Sequence, residues 1–182
     1  MLFHTKNILR RRIGVWIGLL AMLASQSAWS TEAARFLKEA GLQRGVCVQI
    51  GGGDGRATIE LSQSGKNIVH RLEHDPKQLQ SVRDMVRKQG LYGRIAVVHW
   101  TGKKLPYADN LINFILADTA NGIPDSEIIR ALCPNGTAFI KVNGKYRKIV
   151  KPRPSAMDEW QQFRHDSGRS RMSQDTIVGC PS

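Results

Sequence analysis

Apolar residues in this chain come in short blocks separated by glycine and polar turns. Val46-Cys47-Val48-Gln49-Ile50 is an apolar run with the length of a strand, and Gly51-Gly52-Gly53-Asp54-Gly55 ends it. From about Arg56 to Gln63 the spacing is helical, with Ser64-Gly65 as its stop. A second run, Asn67 to Leu72, leads to Asp75 as a helix cap and Pro76 in the first turn, where a missing N–H costs nothing. Leu79, Val82, Met85 and Val86 then recur at helical spacing until Gly90. Strands are predicted at Ile95 to Val98, Leu111 to Leu116 and Thr137 to Val142. A helix over Ser126 to Leu132, ending at Cys133, separates the last two. An amphipathic helix over Thr31 to Ala40 precedes the first strand, carrying Ala33, Phe36, Leu37 and Ala40 mostly on one side. Asn143-Gly144 lies between Phe139 to Val142 and Lys145 to Val150, a two-residue hairpin signal that makes the sheet end antiparallel.

Strands alternating with helices imply an α/β fold, a Rossmann-like doubly wound sheet that is mostly parallel and covered on both faces. In such a sheet the turn after the first strand holds the ligand. Glycine is needed where the backbone bends sharply against it, and the amides at the start of the next helix face it. Glu73, at the end of the second apolar run, falls where a carboxylate accepts hydrogen bonds from ribose hydroxyls. Glycine bend and acid together point to a nucleotide-type ligand.

Charge and termini change the picture only at the edges. The net charge is +12, but Lys6, Arg10, Arg11 and Arg12 sit in the leader, and many other cations lie after Gly136. No stacking aromatics alternate with them, so a solvated basic segment is favoured over a nucleic-acid surface. Residues 1–30 read as an export signal: a basic start, the apolar run Ile13 to Ala24, and Ala28-Trp29-Ser30 before a cleavage point at Thr31. About 12 apolar residues fall short of the ~20 that span a bilayer, so a membrane link exists only if the leader is retained. The expected destination is the periplasm or cell envelope. Residues 31–150 then form the sheet domain, and residues 151–182 form a linker or the start of a second domain. Cys47, Cys133 and Cys180 cannot close a disulfide framework, and neither they nor His4, His70, His74, His99 and His165 have metal-ligand spacing.

The order of these motifs resembles the class I S-adenosylmethionine-dependent methyltransferases, in particular the small type 11 domains, over roughly Gly45 to Val142. Gln49-Ile50-Gly51-Gly52-Gly53-Asp54-Gly55 is similar to the family's first motif, and Leu72-Glu73-His74-Asp75-Pro76 to the ribose-binding end of its second strand. Leu105-Pro106-Tyr107-Ala108-Asp109-Asn110 resembles the segment before its fourth strand, and Leu132-Cys133-Pro134-Asn135-Gly136-Thr137 the turn that opens its fifth. The resemblance implies S-adenosylmethionine as cofactor and a binding set of Gln49, Gly51, Gly52, Gly53, Gly55, Glu73, His74 and Trp100. Four departures stand out. Gln49 replaces the family's usual carboxylate for the cofactor's amino-acid end, and a neutral amide bonds an ammonium more weakly. Trp100 stands where a small or acidic residue is common near the adenine, either stacking on the base or filling the pocket. Asn113 replaces a common Asp, and the family's last two strands are abbreviated to one. The tail segment Met157 to Asp166, followed by Asp175 to Gly179, resembles the lead-in to exported β-propellers of the pyrroloquinoline-quinone-binding type, which implies a truncated product or the front part of a larger protein.

A nicotinamide-binding domain shares the architecture, but its third glycine would fall at Arg56, and Gly65-Lys66 lacks the glycine loop and hydroxyl of a P-loop. Methyl transfer asks mainly for alignment, since the sulfonium is already activated. Asp118, past the fourth strand, is the best-placed acid for substrate contact, with His99 and Asp109 behind it. Its alternative is a loop carboxylate capping the next segment, so no catalytic residue is assigned. S-adenosylmethionine is made in the cytoplasm, which sets two functions side by side. One is a methyltransferase of an unknown small-molecule acceptor. The other is an exported, non-catalytic adaptor domain preceding a β-propeller or serving a partner.

Overall fold

A computed structural model describes residues 32–63, 66–119 and 122–158, together with Ser173 and Thr176. The leader, the Ser64-Gly65 stop, Cys180 and most of the tail lie outside the described residues. The chain forms α1 (Glu32–Glu39), β1 (Val46–Ile50), α2 (Arg56–Gln63), β2 (Ile68–Glu73), α3 (Pro76–Lys88), β3 (Ile95–His99), β4 (Ile112–Ala117), α4 (Asp125–Ala131), β5 (Leu132–Val142) and β6 (Lys145–Val150). These strands make one six-stranded sheet in the order β3-β2-β1-β4-β5-β6. All neighbours run parallel except β5 and β6. The order reverses beside β1, between β2 and β4, which is where a doubly wound sheet opens a crevice at the carboxyl ends of its strands.

Strand alternation divides the core into two layers. Cys47, Val69, Phe114 and Phe139 face α1, α2 and α3, where they meet Phe36, Leu37, Leu61, Val82 and Val86. Val48, Ile50, Leu72, Ile115 and Ile140 face the other way, toward Leu105, Ile123 and Ile128. Burying a large apolar side chain stabilises the fold by about 1.5–3 kcal/mol, so these two layers carry most of the driving force. Phe36 of α1 stacks on Phe139 with centroids 4.4 Å apart, which fixes the first helix to the far side of the sheet. Desolvation in this core pushes the Cys47 thiol up to about 12, as expected of a buried apolar cysteine.

Local signals were followed closely. The Asp75 side chain accepts a hydrogen bond from the Lys77 amide at 2.9 Å, and Pro76 opens α3. Asn143 and Gly144 both take positive φ, 50° and 80°, as a type I′ hairpin requires, and Val142 pairs with Lys145. One expectation is corrected. Cys133 does not end a helix: α4 stops at Ala131, and β5 begins five residues before Thr137. Leu132 already pairs with Ile112, the register then shifts, and pairing resumes at Phe114 with Thr137. Pro134-Asn135-Gly136 is thus an irregularity inside the strand, with Asn135 at φ 64°.

Among the described residues no helix is long and apolar enough to cross a membrane, and no group of three metal-ligating side chains comes together.

Candidate functional site

The carboxyl ends of β1, β2 and β4 meet at the glycine bend. Gly51 and Gly52 have φ of 64° and 96°, in the left-handed region that side chains avoid. They also have no room for one. A Cβ on Gly51 would lie 2.1 Å from Thr119 Oγ1, and a Cβ on Gly52 would lie 2.0 Å from Asp118 Oδ2. The bend is therefore packed against the residues that follow β4, whereas Gly53 faces open space. The Gly51 amide donates to Leu72 O at 2.9 Å, tying the bend to β2 as well.

Beneath the bend runs a chain of polar side chains that the sequence did not reveal. Arg71 of β2 is fully buried, and each of its five N–H groups has a partner. Nε donates to Glu73 Oε2 at 3.1 Å, and Nη2 donates to the same oxygen at 2.5 Å and to Gly53 O at 2.8 Å. Nη1 donates to Gly52 O at 3.2 Å and to Thr58 Oγ1 at 3.0 Å. Thr58 must then give its single hydrogen to Gln49 Oε1, 2.5 Å away, which turns the Gln49 amide nitrogen toward Asp118 Oδ2 at 3.4 Å. The other Asp118 oxygen accepts from the Tyr146 hydroxyl of β6. Desolvation, with the Asp118 carboxylate beside it, raises the Tyr146 ionisation far above its usual range, so this hydroxyl keeps its proton and donates. Glu73, Arg71, Thr58, Gln49, Asp118 and Tyr146 form one relay across the sheet.

Glu73 is only 4% exposed. Besides the two Arg71 bonds, its Oε1 accepts from the amides of His74 and Asp75 at 3.0 and 3.3 Å. The four acceptor positions of the carboxylate are thus filled from within the chain. Ribose hydroxyls would have to exchange with the two amides rather than find open lone pairs. At the ends of β2 and β3, the His74 and Trp100 rings meet edge to face at 5.2 Å. The Trp100 indole donates to Lys104 O at 3.2 Å, and its ring packs against the Val48 side of the core. His74 Nδ1 is buried without a hydrogen-bond partner. The bend and the side chains of Glu73, His74 and Trp100 therefore share the carboxyl edge, with Gln49 below them and the Gly55 position closed against Val82 of α3.

The acids considered for substrate contact separate. Asp118 sits on the bend. His99 ends β3 and its Nε2 lies 3.1 Å from His74 O. Asp109 precedes β4 and pairs at 2.5 Å with Arg130 of α4, which also holds Glu127 and the carbonyls of Leu105 and Tyr107. Asn113, in place of a carboxylate, bridges strands: its Oδ1 accepts from the Val46 amide at 2.9 Å, and its Nδ2 donates to Cys133 Sγ at 3.3 Å. A groove of about 560 Å³ lies elsewhere, along the free edge of β3 between Arg83, Tyr92 and Val98.

Arg71 was the signal overlooked. A strand buried on both faces should not carry an arginine unless it is paired, and Glu73, two residues on, points to the same face.

The fold recurs among solved structures. A protein of Methanococcus maripaludis assigned as an S-adenosyl-L-methionine-dependent methyltransferase is similar at 22% identity and a TM-score of 0.54, over 59% of this chain and 52% of that one. One of Galdieria sulphuraria assigned as a sarcosine dimethylglycine methyltransferase is similar at 25% identity and a TM-score of 0.53, over 59% and 44%. The geranyl diphosphate C-methyltransferase of Streptomyces coelicolor, solved with S-adenosyl-L-homocysteine, gives 16% identity and a TM-score of 0.52, over 59% and 42%. The chain spans about half the length of these proteins or less. No curated protein matches it. Residues 48–140, from within β1 through most of β5, match the family model of the methyltransferase domain, whose cofactor is S-adenosylmethionine, and the chain belongs to that family.

Proposed function

We propose that the chain is an S-adenosylmethionine-dependent methyltransferase of a small-molecule acceptor. The observation that carries this reading is the glycine bend at the switch point of the sheet, inside the matched family region and flanked by Glu73, His74 and Asp118. The residues fit the cofactor at its two ends. The orphaned His74 Nδ1 beside Trp100 can accept from an amino group on a base, and at Gly53 the bend presents open backbone with no side chain in front of it. When bound, the cofactor supplies an activated methyl group. The chain's own residues then bind, align and exclude water, and Glu73 bonds ribose by giving up the His74 and Asp75 amides. Isothermal titration of the full chain with S-adenosylmethionine tests this. Micromolar binding supports it, and no heat up to millimolar ligand refutes it.

A specific observation favours a second reading. Glu73 is saturated and the Gly51 and Gly52 faces are covered by Thr119 and Asp118, so the site is satisfied without a ligand. A domain exported by the leader at residues 1–30, away from the cytoplasmic source of the cofactor, would need no more than this. In that reading it is a non-catalytic adaptor in the cell envelope for a β-propeller or partner, and the same titration gives no binding.

A further inference from the structure

We infer that Asp118 is the anion that receives the cationic amino-acid end of the ligand, and that Tyr146 is the positioning residue that aims it; this rests on the reading above. The relay beneath the bend contains two carboxylates and one guanidinium. Arg71 and Glu73 are in direct contact at 2.5 Å and cancel. Asp118 is left over. Among the described residues no lysine or arginine forms an ion pair with it, and its neighbours are a neutral amide and a neutral hydroxyl.

Three features make this carboxylate a receptor rather than a loop cap. Its Oδ2 lies against Gly52, where only a glycine admits it, so the charge is held on the bend itself. Its bond from Gln49 is long, 3.4 Å, and leaves acceptor capacity on Oδ2. The remaining acids near the bend are spent: Glu73 on Arg71 and two amides, Asp54 on Arg56 at 2.6 Å, and Asp75 on the Lys77 amide. An ammonium or sulfonium brought to the bend meets one uncompensated negative charge, and that charge is Asp118. Position 49, where the family usually has a carboxylate, is neutral in this chain, and an acid there would sit beside Asp118 as a like charge. The anion has moved from β1 to the end of β4, with Gln49 as its donor.

Tyr146 comes from β6, the strand that stands for the family's abbreviated end. Its ring is fixed against Phe36 at 4.7 Å, so its hydroxyl has a set direction toward Asp118. The Tyr146→Phe variant keeps that ring contact and loses only the hydroxyl.

The test compares two probes on the full chain by isothermal titration: S-adenosylmethionine, and 5′-methylthioadenosine, which keeps the nucleoside and lacks both the ammonium and the sulfonium. Asp118→Asn should weaken S-adenosylmethionine about tenfold or more, the scale of a lost charged hydrogen-bond partner, and leave 5′-methylthioadenosine within about twofold. Tyr146→Phe should shift the first probe in the same direction by less, and not the second. Unchanged S-adenosylmethionine affinity in Asp118→Asn overturns the inference while the methyltransferase reading stands. So does a parallel loss of both probes, which would mark Asp118 as structural. Wild-type chain binding neither probe overturns both.

Discussion

Replacing Arg71 with methionine should be among the most damaging single changes in the domain. Methionine matches the length of the arginine stem but has no donors. The substitution leaves Gly52 O, Gly53 O and Glu73 Oε2 without their Arg71 partners in the interior, and the Glu73 charge without its counter-ion. Removing one partner of a buried pair costs about 3–5 kcal/mol, because the other charge stays behind. Against a total stability of roughly 5–15 kcal/mol, that is a large share. With a urea slope of about 2 kcal/mol/M the unfolding midpoint should fall by roughly 2 M, read by far-ultraviolet circular dichroism. A double-mutant cycle separates the charge from the hydrogen bonds. Glu73→Leu should cost about as much alone, yet Arg71→Met with Glu73→Leu should be less damaging than the sum by about 3 kcal/mol, since no charge is then stranded. The residual loss belongs to the two glycine carbonyls, at about 1–3 kcal/mol each. Arg71→Met costing less than about 1 kcal/mol, or strict additivity in the cycle, would refute the buried-pair account.

Two further comparisons test other parts of the structure. His70 is held neutral by burial, with its Nδ1 2.7 Å from the Tyr107 hydroxyl, and its pKa lies below 6.5. The unfolded chain therefore takes up a proton first as pH falls below that value, and this contribution to stability is present above it and lost below, by at most about 1.4 kcal/mol per pH unit. Urea midpoints at pH 8 and pH 5.5 should differ less in His70→Gln than in the natural chain, and an equal difference would exclude His70 as the cause. At the bend, Gly53→Ala places its Cβ in open space and pays only for the left-handed backbone, about 1–2 kcal/mol, whereas Gly52→Ala also drives a methyl into Asp118. Thermal melts should rank Gly52→Ala well below Gly53→Ala, and equal melting temperatures would contradict the close packing of Asp118 on the bend.

What could be read from the sequence was what depends on local signals. Glycine and proline punctuation, the Asp75 cap and the Asn143-Gly144 turn each set a backbone conformation within a few residues, and strand alternation then decided the faces. The fifth strand was misjudged because its start is set by Ile112, some twenty residues away in sequence, and not by the Pro134-Asn135-Gly136 turn chemistry. The relay was hidden for the same reason. Arg71 and Glu73 are near neighbours in sequence, but Thr58, Gln49, Asp118 and Tyr146 come from four other segments, and only sheet register brings them within hydrogen-bond distance. Read alone, Glu73 was a ribose acceptor; in place, it is first the counter-ion of a buried arginine.

That double duty bears on how a ligand could enter. Arg71 holds the carbonyls of Gly52 and Gly53 together with Glu73, so the bend and the acid are one rigid unit and not two groups free to adjust separately. A ligand must then be accommodated by what can yield: the His74 and Asp75 amides on Glu73 Oε1, the long Gln49 bond to Asp118, and the side chains of Asp118 and Thr119 that cover the glycines. Each of these is weaker than the guanidinium bonds, since none involves a second charge. Binding is thus expected to reorganise the β4 side of the bend and the His74 and Asp75 amides, and to leave the glycine carbonyls held by Arg71 fixed. Amide hydrogen exchange with S-adenosylmethionine present should show new protection after β4, at Asp118 and Thr119, with little change at Gly52 and Gly53.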